Sequence, residues 1–411
     1  MDAFTEKVAP PHLRQRHPAP LPLLILIAAI QPIAMNMYVP AMAAMQGDLQ
    51  TSASALQATL WAFLLATALG QLVAGPLSDM FGRRHVLLGG LSLFMVGTVI
   101  CTLAQSVETL IAGRIIQGIG GCAGLVLSRA IIRDVHGAAN SASMIGYVTM
   151  GMAVGPLITP ALGGVIYEAW SWRVIFAVIG AFGLFALAVS VLRLEETHPA
   201  AGKRTGIFSA WRRELKELLA IADFWRFALT LGALCVAFFS FIAGGAFIAI
   251  DIYELSASQY GVLFIFVVAG YVAGNFVTGR FGPRFGVVPM IIVGNAISLL
   301  GVAIALVLGL LSVFHPLALF APMFVVGVGN GFALPNTVAG CVSVKPELAG
   351  SASGLAGAFQ VGSGALSSIV VGLLIDAQAF SNMLWAILIP MCAGATAAFM
   401  LSLTLRSESL K

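Results

Sequence analysis

Long apolar runs alternate with short polar interruptions from Leu21 to Leu405. Each run is long enough for a helix to cross a hydrocarbon layer, which takes about 20 residues. The pattern predicts twelve membrane helices. The first six run from about Leu21 to Met45, Ala53 to Leu77, Val86 to Ala104, Thr109 to Ile132, Ala142 to Ile166 and Val174 to Leu192. The other six run from about Phe227 to Ile250, Gln259 to Gly279, Val287 to Leu311, Pro316 to Ala339, Ala349 to Ile375 and Asn382 to Leu405. The longest polar interruption lies between helices 6 and 7. It divides the chain into a bundle at 21–192, a linker at 193–226 and a second bundle at 227–405. A polar, Pro-rich tail at 1–20 and a short tail at 406–411 flank them, both expected on the cytoplasmic side. In the linker, Phe208, Trp211, Leu215, Leu218 and Leu219 recur at helical spacing among charged residues. That predicts an amphipathic helix, lying on the inner membrane surface or solvated as a plain linker.

The charges test this layout. With a cytoplasmic N-terminus, nearly all basic residues fall at or near the cytoplasmic face, and Arg114 and Arg173 alone do not. Asp48, Glu108, Asp251, Glu254 and Asp376 fall outside. An error of one helix would scatter the pattern, so both termini are expected inside. The composition agrees: of 411 residues, 59% are hydrophobic and 9% charged, against about 25% charged in soluble domains. The net charge of +4 sits in short loops and does not point to nucleic acid. Five single cysteines and six histidines in tails, loops or helix ends form no metal or redox spacing, so neither metal nor cofactor is expected. The first twenty residues lack the pattern of a cleavable signal.

The loop Gly75-Pro-Leu-Ser-Asp79-Met-Phe-Gly82-Arg83-Arg84-His85 lies between helices 2 and 3. Gly82 permits a sharp turn. Arg83 and Arg84 hold that turn on the cytoplasmic side. Asp79 is either a local ion pair or half of a latch. The loop resembles the G-x-x-x-D-x-x-G-R-R/K signature of the major facilitator superfamily. The resemblance implies an all-α fold of two pseudo-symmetric six-helix bundles, with Asp79 and Arg83 locking the halves on the cytoplasmic face. A degraded copy, Gly279-Arg-Phe-Gly-Pro-Arg-Phe-Gly286, lacks the acid. Two halves also fit the internal-repeat architecture of such transporters, with substrate held near the midplane.

Helix 4 opens with Gly113-Arg114-Ile-Ile-Gln117-Gly-Ile-Gly-Gly121. An arginine inside a membrane helix costs at least a few kcal/mol unless it is paired or faces water, which makes it a functional candidate. The stretch resembles the family's R-x-x-Q-G-x-G motif, where the arginine is linked to proton coupling. Helix 5 carries Gly151, Gly155, Pro156, Pro160, Gly163 and Gly164. The glycines offer a small-residue face and the prolines a kink. This segment resembles the antiporter motif, with its final glycine pair further on, and implies export. Helix 1, with Asn36-Met-Tyr38-Val-Pro-Ala, and Arg129 to Asp134 after helix 4 resemble the bicyclomycin and chloramphenicol resistance subfamily. That subfamily usually has an acid where Asn36 stands, and asparagine cannot titrate.

No Asp, Glu, Lys or His lies near a helix midpoint, leaving Arg114 as the charge well inside the membrane. Either a peripheral acid such as Asp251 or Asp134 carries the proton, or coupling is weak, or the substrate carries the charge. Asn36, Tyr38, Gln117, Phe239 and Asn330 are the candidate cavity residues, although a buried amide can equally knit helices together. The resemblance implies a monomeric, multi-pass exporter of small amphipathic compounds in the bacterial inner membrane, in contact with the lipid bilayer, with protons as counter-ion. A metabolite exporter without proton coupling is the alternative that Asn36 leaves open. An enzyme is not expected, since no nucleophile motif, nucleotide loop or soluble domain is present.

Overall fold

A computed structural model describes residues 20–197, 207–377 and 383–405. The expected tails (apart from Pro20) and residues 198–206 of the linker lie outside the described residues. The chain is all-helical there. The first half holds α1 (Leu21–Asn36), α2 (Met42–Asp48), α3 (Ala53–Phe81), α4 (Arg83–Leu103), α5 (Val107–Ala169) and α6 (Trp172–Arg193). The linker holds α7 (Ile207–Leu219). The second half holds α8 (Ala222–Phe247), α9 (Ala257–Phe285), α10 (Val287–Leu310), α11 (Pro316–Ser343), α12 (Ala349–Asp376) and α13 (Leu384–Ser402). Among the described residues, 11 helical segments are long and apolar enough to cross a membrane.

Local sequence explains the element ends. Ser52 and Ser106 cap α3 and α5 by accepting the N–H groups of Ala55 and Thr109. Ser256 and Gln259 form a reciprocal capping box at the start of α9. Gly82 and Gly286 sit at φ +92° and +81°, where a side chain would be strained. They turn α3 into α4 and α9 into α10 at equivalent places in the two halves.

The first apolar run is not one straight helix. It stops at Asn36, passes through a 3₁₀ turn at Val39–Ala41 and resumes as α2. Pro40 has no N–H to give the Asn36 carbonyl, so the α pattern cannot continue through it. The break frees carbonyls in the last turn of α1.

The expected helices 4 and 5 form a single helical run of 63 residues. Straight, it would be about 95 Å long, far more than a bilayer. Its packing on α1 shows that it reverses. Gly121 lies against Gln31 and Gly124 against Ile27, whereas Gly155 lies against Pro32 and Ile33, and Gly163 against Met37. The run therefore descends α1 in its first part and climbs it in its second.

α7 is the expected linker helix. Leu218 is fully buried, Glu217 pairs with Lys345, and Ser351 donates to Glu214 at 2.5 Å. The polar face of α7 thus grips the start of α12 and the turn before it. Between the halves, α3 packs along α12 and the second part of α5 packs along α9. Large apolar side chains such as Leu69, Leu192 and Phe276 point outward from the bundles, the surface a lipid environment requires.

Candidate functional site

Arg114 is fully buried in the first half. Its Nη1 donates to the Ala34 carbonyl at 3.0 Å and to Gln117 Oε1 at 2.5 Å. Its Nε donates to the Thr59 carbonyl at 3.3 Å. The guanidinium lies 3.9 Å from the Phe63 ring centroid and 4.5 Å from that of Tyr38. The broken first helix makes this possible. Ala34 lies in its last turn, where carbonyls are free and the helix dipole is negative, so a cation is stabilised without a carboxylate. Two aromatic faces add cation–π attraction in a dry setting.

The surrounding network is continuous. Gln117 Nε2 donates to Thr98 Oγ1 at 2.9 Å, and Thr98 donates to the Phe94 carbonyl at 2.7 Å. The Tyr38 hydroxyl and Thr59 Oγ1 are 3.2 Å apart. Arg114, Gln117 and Tyr38 are thus gathered at one place. Thr59, Phe63 and Thr98 join them, and the sequence reading missed these three. Nη2 of Arg114 has no partner among the described residues.

The other candidates lie elsewhere. Asn36 is buried, but its amide donates back to the Pro32 carbonyl at 2.8 Å. Asn330 accepts from Ser298 at 3.1 Å, joining α11 to α10. Phe239 packs against Phe238 and Gly364 in the second half. Asp251 is exposed in a π turn, Ile248–Ile252, that ends α8.

At the signature loop, Arg83 is 6% exposed although Phe81 and His85 close by are exposed. It pairs with Asp79 at 2.5 Å and with Asp134 at 2.9 Å, and also donates to Ser78. All these partners belong to the first half, so in this conformation the cluster ties α3 to the middle of α5. Glu196, which the sequence reading did not single out, accepts the N–H groups of Arg83 at 2.8 Å and Arg84 at 3.1 Å, capping α4. A Cβ on Gly82 would stand 2.9 Å from the Glu196 carboxyl carbon, so this glycine serves both the turn and the close approach. Arg84 reaches the Val191 carbonyl at 3.0 Å. Gly75 has open space around it.

The helix 5 glycines divide by neighbour. Gly155 faces α1 and Gly163 faces Met37 just after it, whereas Gly164 faces Ala257 and Ser258 at the start of α9 in the other half. Pro156 and Pro160 lie in the same stretch of α5, as does Gly151. At this end Ser258 donates its N–H to Glu168 at 2.7 Å and its hydroxyl at 2.8 Å. Glu168 lies beyond the last apolar turn, and the N–H bond from Ser258 holds its carboxyl below the usual range.

Two helical halves meeting along α3–α12 and α5–α9, with a buried cation at a broken helix, define a secondary-transporter fold. The model of the Major Facilitator Superfamily matches residues 24–368, and the chain belongs to that family. It is 30% identical over 367 residues to multidrug resistance protein D of Escherichia coli, covering 87% of this chain and 89% of the relative. It is 29% identical to a bicyclomycin resistance protein homolog of Haemophilus influenzae over 364 residues, covering 86% and 89%. A chloramphenicol resistance protein of Pseudomonas aeruginosa is 28% identical over 358 residues, covering 87% and 83%. Among solved structures, a D-xylose-proton symporter superposes with a TM-score of 0.73 at 16% identity, covering 93% of this chain and 96% of that one. The protein is accordingly a multi-pass inner-membrane transporter.

Proposed function

We propose that the protein exports small amphipathic compounds by alternating access, with protons as the counter-ion. The observation that carries this reading is the Arg114 cage: a buried cation, two aromatic faces and a spare guanidinium nitrogen beside a broken helix. Such a place suits a mostly apolar ligand with one strong acceptor group. The printed names of the resistance relatives support a drug substrate. The glycine face of α5, packed against α1 and α9, supports export.

In this reading the Arg83 turn faces the cytoplasm and the Ser52 end of α3 faces outward, because the basic residues then lie inside. The halves rock about the Arg114 level and open to one side at a time. Backbone carbonyls and Gln117 hold Arg114 in place without a carboxylate. Asn36 cannot carry a proton, so the proton moves through a peripheral acid, Asp251 or Asp134. The monomer is the working unit.

The test is proton exchange in inverted vesicles with an acid interior, read by a pH-sensitive dye, for wild type and Asn36→Asp against a panel of drugs. A drug that releases protons from wild-type vesicles is the expected result. Silence in wild type with a response in Asn36→Asp would show that helix 1 has lost its proton site. Movement of a labelled drug with neither protein releasing protons would remove proton coupling from the proposal. No movement of any drug would overturn the substrate class.

A further inference from the structure

The two contacts that tie the halves together at the Ser52 end are copies of one another. Both α3 and α9 open on Ser-Ala-Ser, at 52–54 and 256–258. In each, the first serine caps its own helix and the last serine bonds to an acid of the other half. Ser54 donates its N–H to Asp376 at 3.1 Å, and its hydroxyl bonds the same carboxylate. Ser258 makes the equivalent pair of bonds to Glu168. Each acid stands four residues after a glycine that lets the partner helix come close. A Cβ on Gly164 would lie 2.6 Å from the Ser258 nitrogen, and one on Gly372 3.5 Å from the Ser54 Cα. Glycine and acid share one helical face at this spacing. Neither acid is in an ion pair with a basic side chain among the described residues.

A carboxylate at a helix N-terminus satisfies free N–H groups and meets the positive end of the dipole. Ordinarily acid and helix belong to one rigid unit, and the bond survives any domain motion. Here the acid of each half holds the helix of the other. Separation of the halves at this end must break both pairs, so their full strength weighs on the closed state alone.

We propose that Glu168 and Asp376 are paired bolts of the gate on this face, holding it closed together and released together. The inference rests on the alternating-access reading. Because the halves move as units, loss of either bolt loosens the helix start that the other one holds.

Hydrogen exchange on the intact protein in lipid nanodiscs tests this, for wild type, Glu168→Gln, Asp376→Asn and the double variant. Glu168→Gln is expected to speed exchange roughly tenfold at 256–260, the scale of one charge-assisted hydrogen bond, and to speed it also at 52–56, in the untouched copy. Asp376→Asn should give the mirror result. Protection in α4 should stay unchanged, showing that the fold is intact. Should α4 also lose protection, Ser258→Ala and Ser54→Ala, which remove the hydroxyl bonds alone, are read by the same criterion. Faster exchange confined to the altered contact would mark two local caps and overturn the proposal, as would no change at either. The exchange is read without substrate. Failure to transport any drug therefore leaves it standing, and transport with uncoupled caps overturns it while leaving the exporter reading in place.

Discussion

Gly163 and Gly164 are neighbours with opposite duties, and alanine at each should separate two kinds of stability. A Cβ on Gly163 would stand 2.8 Å from the Met37 carbonyl carbon, with the carbonyl oxygen closer still. Met37 follows α1 in the same half. A Cβ on Gly164 would stand 2.5 Å from the Ala257 carbonyl carbon and 2.6 Å from the Ser258 nitrogen, across the halves. Both positions must give by about 1 Å, against backbone atoms that cannot rotate away, and overpacking of this kind costs about 1–3 kcal/mol. At position 163 no rocking motion relieves the clash, so the cost falls on folding. At position 164 opening of the gate relieves it, so the cost falls on the closed state. At about 1.4 kcal/mol per tenfold, that shifts the gate toward open by roughly tenfold or more. The assay pairs a thermal melt with spin-label distances between cysteines placed at Gln105 and Phe314, in connections of the two halves. Gly163→Ala should lower the melting temperature by several degrees and leave the distance distribution unchanged. Gly164→Ala should do the reverse. Equal loss of melting temperature with unchanged distances in both variants would refute the division of labour.

Arg114→Lys should cost at least tenfold in drug transport, measured as uptake into inverted vesicles, because one ammonium cannot reach two carbonyls and Gln117 as the guanidinium fork does. Glu196→Gln should weaken the cap on α4 by about 1 kcal/mol and lower the melting temperature, with drug binding by calorimetry unchanged. Acidifying the outer side should favour the open gate. The Glu168 carboxyl is held low by the Ser258 N–H bond in the closed state, so its contribution is complete above the ordinary carboxylate range and fades as pH falls through its depressed value. The Gln105–Phe314 spin-label distance, followed below about pH 5, reads this out, and Glu168→Gln should flatten the response.

The sequence made the spans and turns legible because each carries its cause in its own residues. Twenty apolar residues specify a span wherever they occur. Gly82 could be read as a turn residue because φ near +90° belongs to glycine. The break in the first run was written there too, in Pro40, but a proline shows where a helix fails and not what then uses the freed carbonyls. The doubling back of α5 was legible as two expected helices, yet not the helical run that joins them without an intervening loop, because apolar spacing reports where residues must be buried and is silent on backbone continuity.

The site was legible by halves for a related reason. Arg114 stands out in sequence because a charge in an apolar helix is rare, and the absence of a nearby acid is equally plain. Its partners are hidden, because Ala34 and Thr59 offer main-chain carbonyls that every residue possesses. What makes those two special is where the first helix breaks and how closely α3 approaches. The same blindness covers the outer acids. Asp376 and Glu168 read singly as polar helix ends, and each gains meaning from a serine in the other half. Repeated patterns offer a way past this. Ser-Ala-Ser occurs at matching places in both halves, and a glycine followed four residues later by an acid ends both α5 and α12. When halves related by an internal repeat keep the same polar pattern at the same helix ends, the contact to look for lies between the halves. A bond that must exist in both copies, and must break in both, serves a motion better than it serves a fold.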